Sequence, residues 1–110
     1  MDNCTPIFPF HPSIIPITPA KPMFALGKLV ATPGAIELLK QHELSAFDFV
    51  CRHVTGDWGD LEAEDDLANQ WALRDGTRLF SCYRIGGGDK LWIITEADRS
   101  ATTLLLPSEY

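Results

Sequence analysis

The chain has 110 residues, which fits a single domain, and its apolar and charged fractions are those of an ordinary globular protein. Its formal net charge of -6 argues against a general nucleic-acid-binding protein, because neutralising phosphates requires a basic surface. There is neither a long apolar run nor a basic leader followed by an apolar block, so we expect no membrane span, no signal peptide and a cytoplasmic location.

Residues 1–23 differ from the rest of the chain because they hold six of the eight prolines. These prolines recur every three to four residues, which is typical of a polyproline II helix, and the residues between them are largely isoleucine and phenylalanine. The pattern predicts an extended arm that packs on its own domain or on a second subunit, which would allow a homodimer. A disordered tail is the alternative.

Two helices are predicted after a short strand-like apolar run over residues 24–30. Thr32 is a suitable N-cap with proline next to it, and this first helix should end near residue 42. Ser45 should cap a second helix that Gly56 ends, with apolar residues along one side. This helix places His53 in its last turn, off the main apolar stripe.

A third helix is predicted over residues 61–75, with Asp60 as its N-cap and Gly76 as its stop. Strands are predicted over residues 78–85, 90–95 and 101–106, with a glycine-rich hairpin loop at 86–89. Consecutive strands joined by short loops favour an antiparallel meander. The sequence therefore predicts an α+β domain over residues 24–110, in which N-terminal helices pack on a small C-terminal antiparallel β-meander.

The segment DWGDLEAEDD, residues 57–66, is the most charged part of the chain, and we call it the acidic segment. Its carboxylates either form a solvated helix start or imitate spaced phosphates for the lysines and arginines of a partner. Trp58 between two glycines is either a lid on the core or an apolar anchor for that partner. The partner-binding candidates are Asp57, Trp58, Asp60, Glu62, Glu64, Asp65 and Asp66.

Metal binding by His53 with nearby aspartates is not supported, because no ligand spacing of a known metal motif occurs. A dinucleotide fingerprint and a P-loop are also missing from the sequence. We expect neither a metal nor a cofactor.

An alternative is a small ribonuclease, since such toxins place histidine, arginine and hydroxyl side chains on one face of a short antiparallel sheet. A histidine would move the 2′-hydroxyl proton and arginines would stabilise the phosphorane charge. The candidates for these roles are His53, Arg84, Arg99 and Thr102. The acidic charge opposes RNA binding, and an order of elements is shared by many folds. The sequence thus leaves enzymatic activity undecided but favours its absence.

Three segments resemble a family of small bacterial proteins found on plasmids, other mobile elements and chromosomes. They are FALGKLVATPGAIELL (24–39), RHVTGDWGDL (52–61) and LWIITEADRSATTLLLPSEY (91–110). Members carry labels such as plasmid-related protein or, in some cases, type I restriction subunit. The resemblance implies an accessory protein of a mobile element and no catalytic residues.

The function expected from residues and resemblance together is that of a non-enzymatic acidic binding protein of a mobile element. Its partner would be the basic surface of a protein or nucleoprotein complex, with no direct contact to nucleic acid or membrane. One version is an inhibitor of a host nucleic-acid-binding defence complex of the anti-CRISPR or anti-restriction type. A housekeeping assembly module is a further alternative.

Overall fold

The computed structural model describes residues 22–110, which form three α-helices, four β-strands and a short 3-10 helix. In chain order these elements are β1 (Lys28–Ala31), α1 (Pro33–Gln41), α2 (Ala46–Val54), α3 (Ala63–Asp75), β2 (Leu79–Gly86), β3 (Asp89–Thr95), β4 (Ala101–Leu105) and the 3-10 helix (Pro107–Glu109). The α+β prediction is confirmed. The predicted arm, and a dimer formed through it, fall outside the described residues except for Pro22 and Met23.

The four strands form one sheet in the order β1-β4-β3-β2. The chain-consecutive strands β2, β3 and β4 pair antiparallel, as the predicted meander requires. The complete sheet is mixed, however, because β1 joins β4 in parallel and Leu29 lies opposite Thr102. A parallel pair needs a long crossover connection, and the helices between β1 and β2 provide part of it.

Helices α1 and α2 begin directly after Thr32 and Ser45, the N-cap residues predicted from the sequence. The Thr32 hydroxyl accepts a hydrogen bond from the N–H of Ala35 over 3.1 Å, and the Ser45 hydroxyl accepts one from Phe47 over 3.2 Å. Each bond satisfies one of the backbone donors that a helix start leaves without an intrahelical partner.

Helix α3 begins two residues later than predicted, and Asp60 is not its N-cap. The cap position belongs to Glu62, whose side chain makes no capping hydrogen bond. Asp60 instead lies beside β2, where its N–H donates to the carbonyl of Cys82 over 2.7 Å. Gly76 ends the helix in the left-handed conformation, as predicted.

The main hydrophobic core lies between one face of the sheet and the helices α1 and α2. Ala35, Leu39 and Val50 of the helices meet side chains of the three antiparallel strands, which are Tyr83, Leu91, Ile93 and Leu104. Because side chains alternate along a strand, the residues between these point to the opposite face of the sheet.

Helix α3 lies along the outer edge of β2 rather than over the core. The side chain of Asn69 reaches the backbone of Phe80, and Ala72 packs with Leu79 and Trp58 in a second, smaller apolar cluster. A helix that could span a bilayer does not occur between residues 22 and 110.

Candidate functional site

The acidic segment is divided by the structure into residues held by the fold and residues exposed to solvent. Asp57 belongs to the first group: its carboxylate binds the Arg52 guanidinium at 2.7 Å and 3.3 Å and accepts the N–H of Gly59. The hydrogen bond from Arg52 lowers the pKa of Asp57. The same guanidinium lies 4.5 Å from the centre of the Tyr83 ring. Asp57 is therefore committed to holding this loop together.

Trp58 covers the core. It is 8% exposed, and its ring centre lies 6.1 Å from that of Phe24. The ring centres of Trp58 and His53 are 5.6 Å apart in an edge-to-face arrangement. Its carbonyl accepts the N–H of Cys82 over 3.0 Å. Trp58 is therefore a lid on the core, and its indole is too buried to serve as an exposed anchor for a partner.

Gly59 lets the acidic segment run alongside β2. Its backbone forms a parallel bridge with Cys82, and its φ of 78° lies in the left-handed region. A Cβ atom at this position would stand 2.2 Å from the Cys82 carbonyl oxygen. A glycine is required here, and the bridge carries Asp60 and the following acidic residues to the edge of the sheet.

A groove of about 510 Å³ opens on the sheet face opposite α1 and α2, and we call it the sheet groove. Volumes of this order are typical of ligand sites in proteins. Its lining comprises Asp60, Leu61, Glu62, Asp65, Phe80, Cys82, Arg84, Lys90, Trp92 and Pro107.

The floor of the sheet groove is aromatic. Trp92 is partly exposed and stands between two other rings, with centre distances of 5.0 Å to Phe80 and 5.7 Å to Tyr110. Both contacts are edge-to-face, a favourable geometry for aromatic pairs. The neighbouring Cys82 is a free, buried thiol, and burial raises its pKa. The floor is thus a fixed apolar surface without a reactive thiolate.

The walls of the sheet groove carry opposite charges. Asp60, Glu62 and Asp65 line it from beyond the edge of β2, whereas Arg84 and Lys90 stand on the sheet itself. The Arg84 guanidinium lies 3.4 Å from the Asp60 carboxylate. No other ion pair within residues 22–110 involves a groove residue. Three acidic candidates predicted from the sequence therefore meet here, while Glu64 and Asp66 do not line the groove.

His53 lies in a buried chain of polar side chains on the other face of the sheet. Its Nδ1 is 2.5 Å from the Ser81 hydroxyl, and its Nε2 is 2.9 Å from the Thr95 hydroxyl. Thr95 is 2.7 Å from the Thr102 hydroxyl, which donates to the carbonyl of Leu26. The single hydrogen of the Thr102 hydroxyl goes to the Leu26 carbonyl, which can only accept, so Thr95 must donate to Thr102. The Thr95 hydroxyl then accepts the Nε2–H of His53, which leaves Nδ1 to accept the hydroxyl hydrogen of Ser81.

The surroundings of His53 keep its imidazole neutral. The imidazole is 0% exposed and is covered by the rings of Phe24 and Trp58. Burial lowers its pKa to about 3, because the charged form would lose its hydration. Both ring nitrogens already have partners. A general acid or base needs access to substrate, and His53 has none in this conformation.

Of the other residues proposed for a ribonuclease, only Thr102 is linked to His53, through the Thr95 hydroxyl. Arg84 stands on the opposite sheet face in the sheet groove, while Thr102 is buried in the polar chain. Arg99 adopts a positive φ of 60° and binds backbone carbonyls, which belong to Ala72, Thr77, Glu96 and Ala97. Its guanidinium joins the β3–β4 turn to the end of α3. The described residues thus contain no shared face for these four side chains.

The groove residues Phe80, Trp92 and Lys90 were not identified from the sequence. The signal was present in the strand alternation, since residues 80, 82 and 84 share one face of β2 and residues 90 and 92 lie opposite them on β3. The strand pattern does not predict that the acidic segment lies at the sheet edge, because that position depends on the bridge between Gly59 and Cys82.

Within residues 22–110 no group of three or more histidine, cysteine or acidic side chains could hold a metal ion. The resemblance of three segments to mobile-element proteins stays a prediction. Comparisons with protein-family models, with curated proteins and with solved structures gave no match for this chain.

Proposed function

We propose that this chain is a non-enzymatic binding protein that docks on a basic surface of a partner protein or nucleoprotein complex. The observation that carries the proposal is the combination of an acidic wall and an aromatic floor in one open groove. Protein interfaces concentrate their binding energy in aromatic anchors, and complementary charges around them set orientation and association rate.

The acidic residues alone would be a weaker argument. Glu64, Asp65 and Asp66 occupy the first turn of α3, where the helix dipole favours negative charge, so their presence has a local explanation. Glu62 and Asp65, however, also line the sheet groove, and neither forms an ion pair within residues 22–110. A partner with lysine or arginine side chains would supply the counter-charges.

A binding function is favoured over the ribonuclease alternative because the buried, neutral His53 has no access to substrate. The acidic net charge also disfavours direct binding of nucleic acid. In the version implied by the resemblance, the protein acts in the cytoplasm for a mobile element. It would occupy a basic surface on which a host CRISPR or restriction complex holds nucleic acid.

The proposal is tested by affinity capture from a lysate of the encoding bacterium, with bound proteins identified by mass spectrometry. The test variant combines Glu62→Gln, Glu64→Gln, Asp65→Asn and Asp66→Asn. The control variant combines Glu37→Gln, Glu43→Gln, Asp75→Asn and Glu96→Gln, which removes the same charge from exposed positions outside the groove. A partner held by wild type and control but lost from the test variant is the expected result.

Unfolding temperatures of all three proteins show whether a loss of binding reflects a loss of fold. Retention of every partner by the folded test variant would contradict docking through the acidic segment. Binding should also weaken as salt rises, since exposed charges are screened within about 10 Å at 0.1 M ionic strength.

A further inference from the structure

We propose that the sheet groove binds a short amphoteric segment of the partner protein. This segment would place a lysine or arginine against the acidic wall, an apolar side chain on the aromatic floor and a carboxylate between Arg84 and Lys90. The inference rests on the proposed function and names the chemistry of the occupant.

The basic end of the groove carries the argument, because it is the part that a purely basic partner would not fit. Arg84 and Lys90 are directly opposite each other in the β2–β3 register. Like charges in such a position repel. The Asp60 carboxylate lies 3.4 Å from the Arg84 guanidinium, whereas Lys90 forms no ion pair within residues 22–110. A second carboxylate from the occupant would complete the neutralisation.

The acidic wall stands on the other side of the groove floor. Glu62 and Asp65 belong to the start of α3 beyond the β2 edge, whereas Lys90 is on β3, one strand further in. Apart from the Arg84–Asp60 ion pair, the two signs of charge therefore lie on different sides of the groove. A peptide segment that runs through the groove therefore meets both acidic and basic side chains. To complement these charges, the segment needs one cationic and one anionic side chain.

The floor supplies the apolar part of the site. The partly exposed Trp92 lines the groove and is held between Phe80 and Tyr110, so its indole has a fixed orientation. An aromatic surface binds the methylene groups of an apolar or lysine side chain, and its face attracts a cation. Preorganisation of this surface reduces the ordering cost of binding.

The test uses capped synthetic pentapeptides and the NMR signals of the tryptophan indole N–H groups. The probes are Gly-Lys-Leu-Glu-Gly, its reverse Gly-Glu-Leu-Lys-Gly, the basic Gly-Lys-Leu-Lys-Gly and the acidic Gly-Glu-Leu-Glu-Gly. The chain has three tryptophans, so three indole signals are expected, and Trp92→Phe and Trp71→Phe variants assign them. Titration of the Trp92 signal gives a Kd for each peptide.

At least one amphoteric peptide should bind about fivefold more tightly than the basic and acidic peptides, the gain of one partly exposed ion pair. Lys90→Gln should remove most of this preference, while Lys40→Gln, which changes an exposed lysine on α1, should leave it intact.

Tighter binding of the basic peptide would overturn the amphoteric occupant while leaving a basic partner, and hence the proposed function, in place. A Trp92 signal unmoved by every peptide at millimolar concentration would overturn the groove as the binding site. The proposed function is judged separately, by the capture experiment with the acidic variants.

Discussion

The side-chain amide of Asn69 binds the backbone of Phe80 as a neighbouring strand would. It donates to the Phe80 carbonyl over 2.6 Å and accepts the Phe80 N–H over 3.0 Å. Two residues along β2, Cys82 makes the corresponding pair of bonds with Trp58 and Asp60. The outer edge of β2 is therefore closed by one helix side chain and one loop segment, which together fix α3 and the acidic wall beside the groove.

We expect Asn69→Ala to lower the free energy of unfolding by about 2–3 kcal/mol, because it removes two hydrogen bonds at a side chain that is 1% exposed. The unfolding temperature should fall by about 10 °C. Gln70→Ala, an exposed change on the same helix, is the control and should have little effect. Similar losses in both variants, measured by thermal and urea unfolding, would show that the Phe80 contact is not important.

Stability should depend on pH through His53. The pKa of His53 is about 3 in the folded chain and about 6.5 when unfolded, so the unfolded chain binds a proton that the folded chain does not. The stability that depends on a neutral His53 is fully present above about pH 6.5 and is lost as the pH falls from there towards 3. Between pH 7 and 5 this loss should be about 2 kcal/mol.

The comparison that isolates this effect is between wild type and His53→Gln, by urea unfolding at pH 7, 6 and 5. The variant lacks the titrating group and should show a shallower decline, whatever its stability at pH 7. Parallel declines in the two proteins would mean that carboxylates, not His53, govern this range.

Arg99 should contribute to stability, because it joins the β3–β4 turn to the end of α3. Arg99→Ala removes the hydrogen bonds to the carbonyls of Ala72 and Thr77, so we expect a loss of about 2 kcal/mol in the free energy of unfolding. Arg84→Ala, on the exposed sheet face, should change stability by less than about 0.5 kcal/mol. Equal effects in thermal unfolding would contradict the joining role given to Arg99.

Relief of the Arg84–Lys90 repulsion should stabilise the folded chain slightly. Lys90→Thr replaces a charge with a good strand former, and we expect a gain of about 0.5 kcal/mol. The gain should shrink when urea unfolding is repeated in 1 M salt, because screening already weakens the repulsion there. A gain independent of salt would assign it to strand propensity alone.

Local chemistry in the sequence predicted the elements well. Thr32 and Ser45 cap helices, and Gly76 ends one, because a cap depends on residues within one turn of it. Asp60 was assigned wrongly as a cap for the same reason. Its actual partner, Cys82, is 22 residues away, and no short-range pattern contains that contact.

The candidate site was predictable in part. The concentration of carboxylates in the acidic segment is evident from the sequence, and three of them, Asp60, Glu62 and Asp65, line the sheet groove. The burial of His53 was not visible, because its partners Ser81 and Thr95 lie 28 and 42 residues further along the chain. On the helix pattern alone a histidine off the apolar stripe looks exposed, and only tertiary packing reverses that expectation.

The two margins of the sheet differ in a way that bears on self-association. Asn69 and residues 58–60 occupy the β2 margin, whereas β1 has a neighbouring strand on one side only within residues 22–110 and exposes Leu29 and Val30. A fibre grows only if every added unit offers a new template at its far side. Because Asn69 and residues 58–60 already occupy the β2 margin, a second copy that paired with β1 would offer no free margin to a third.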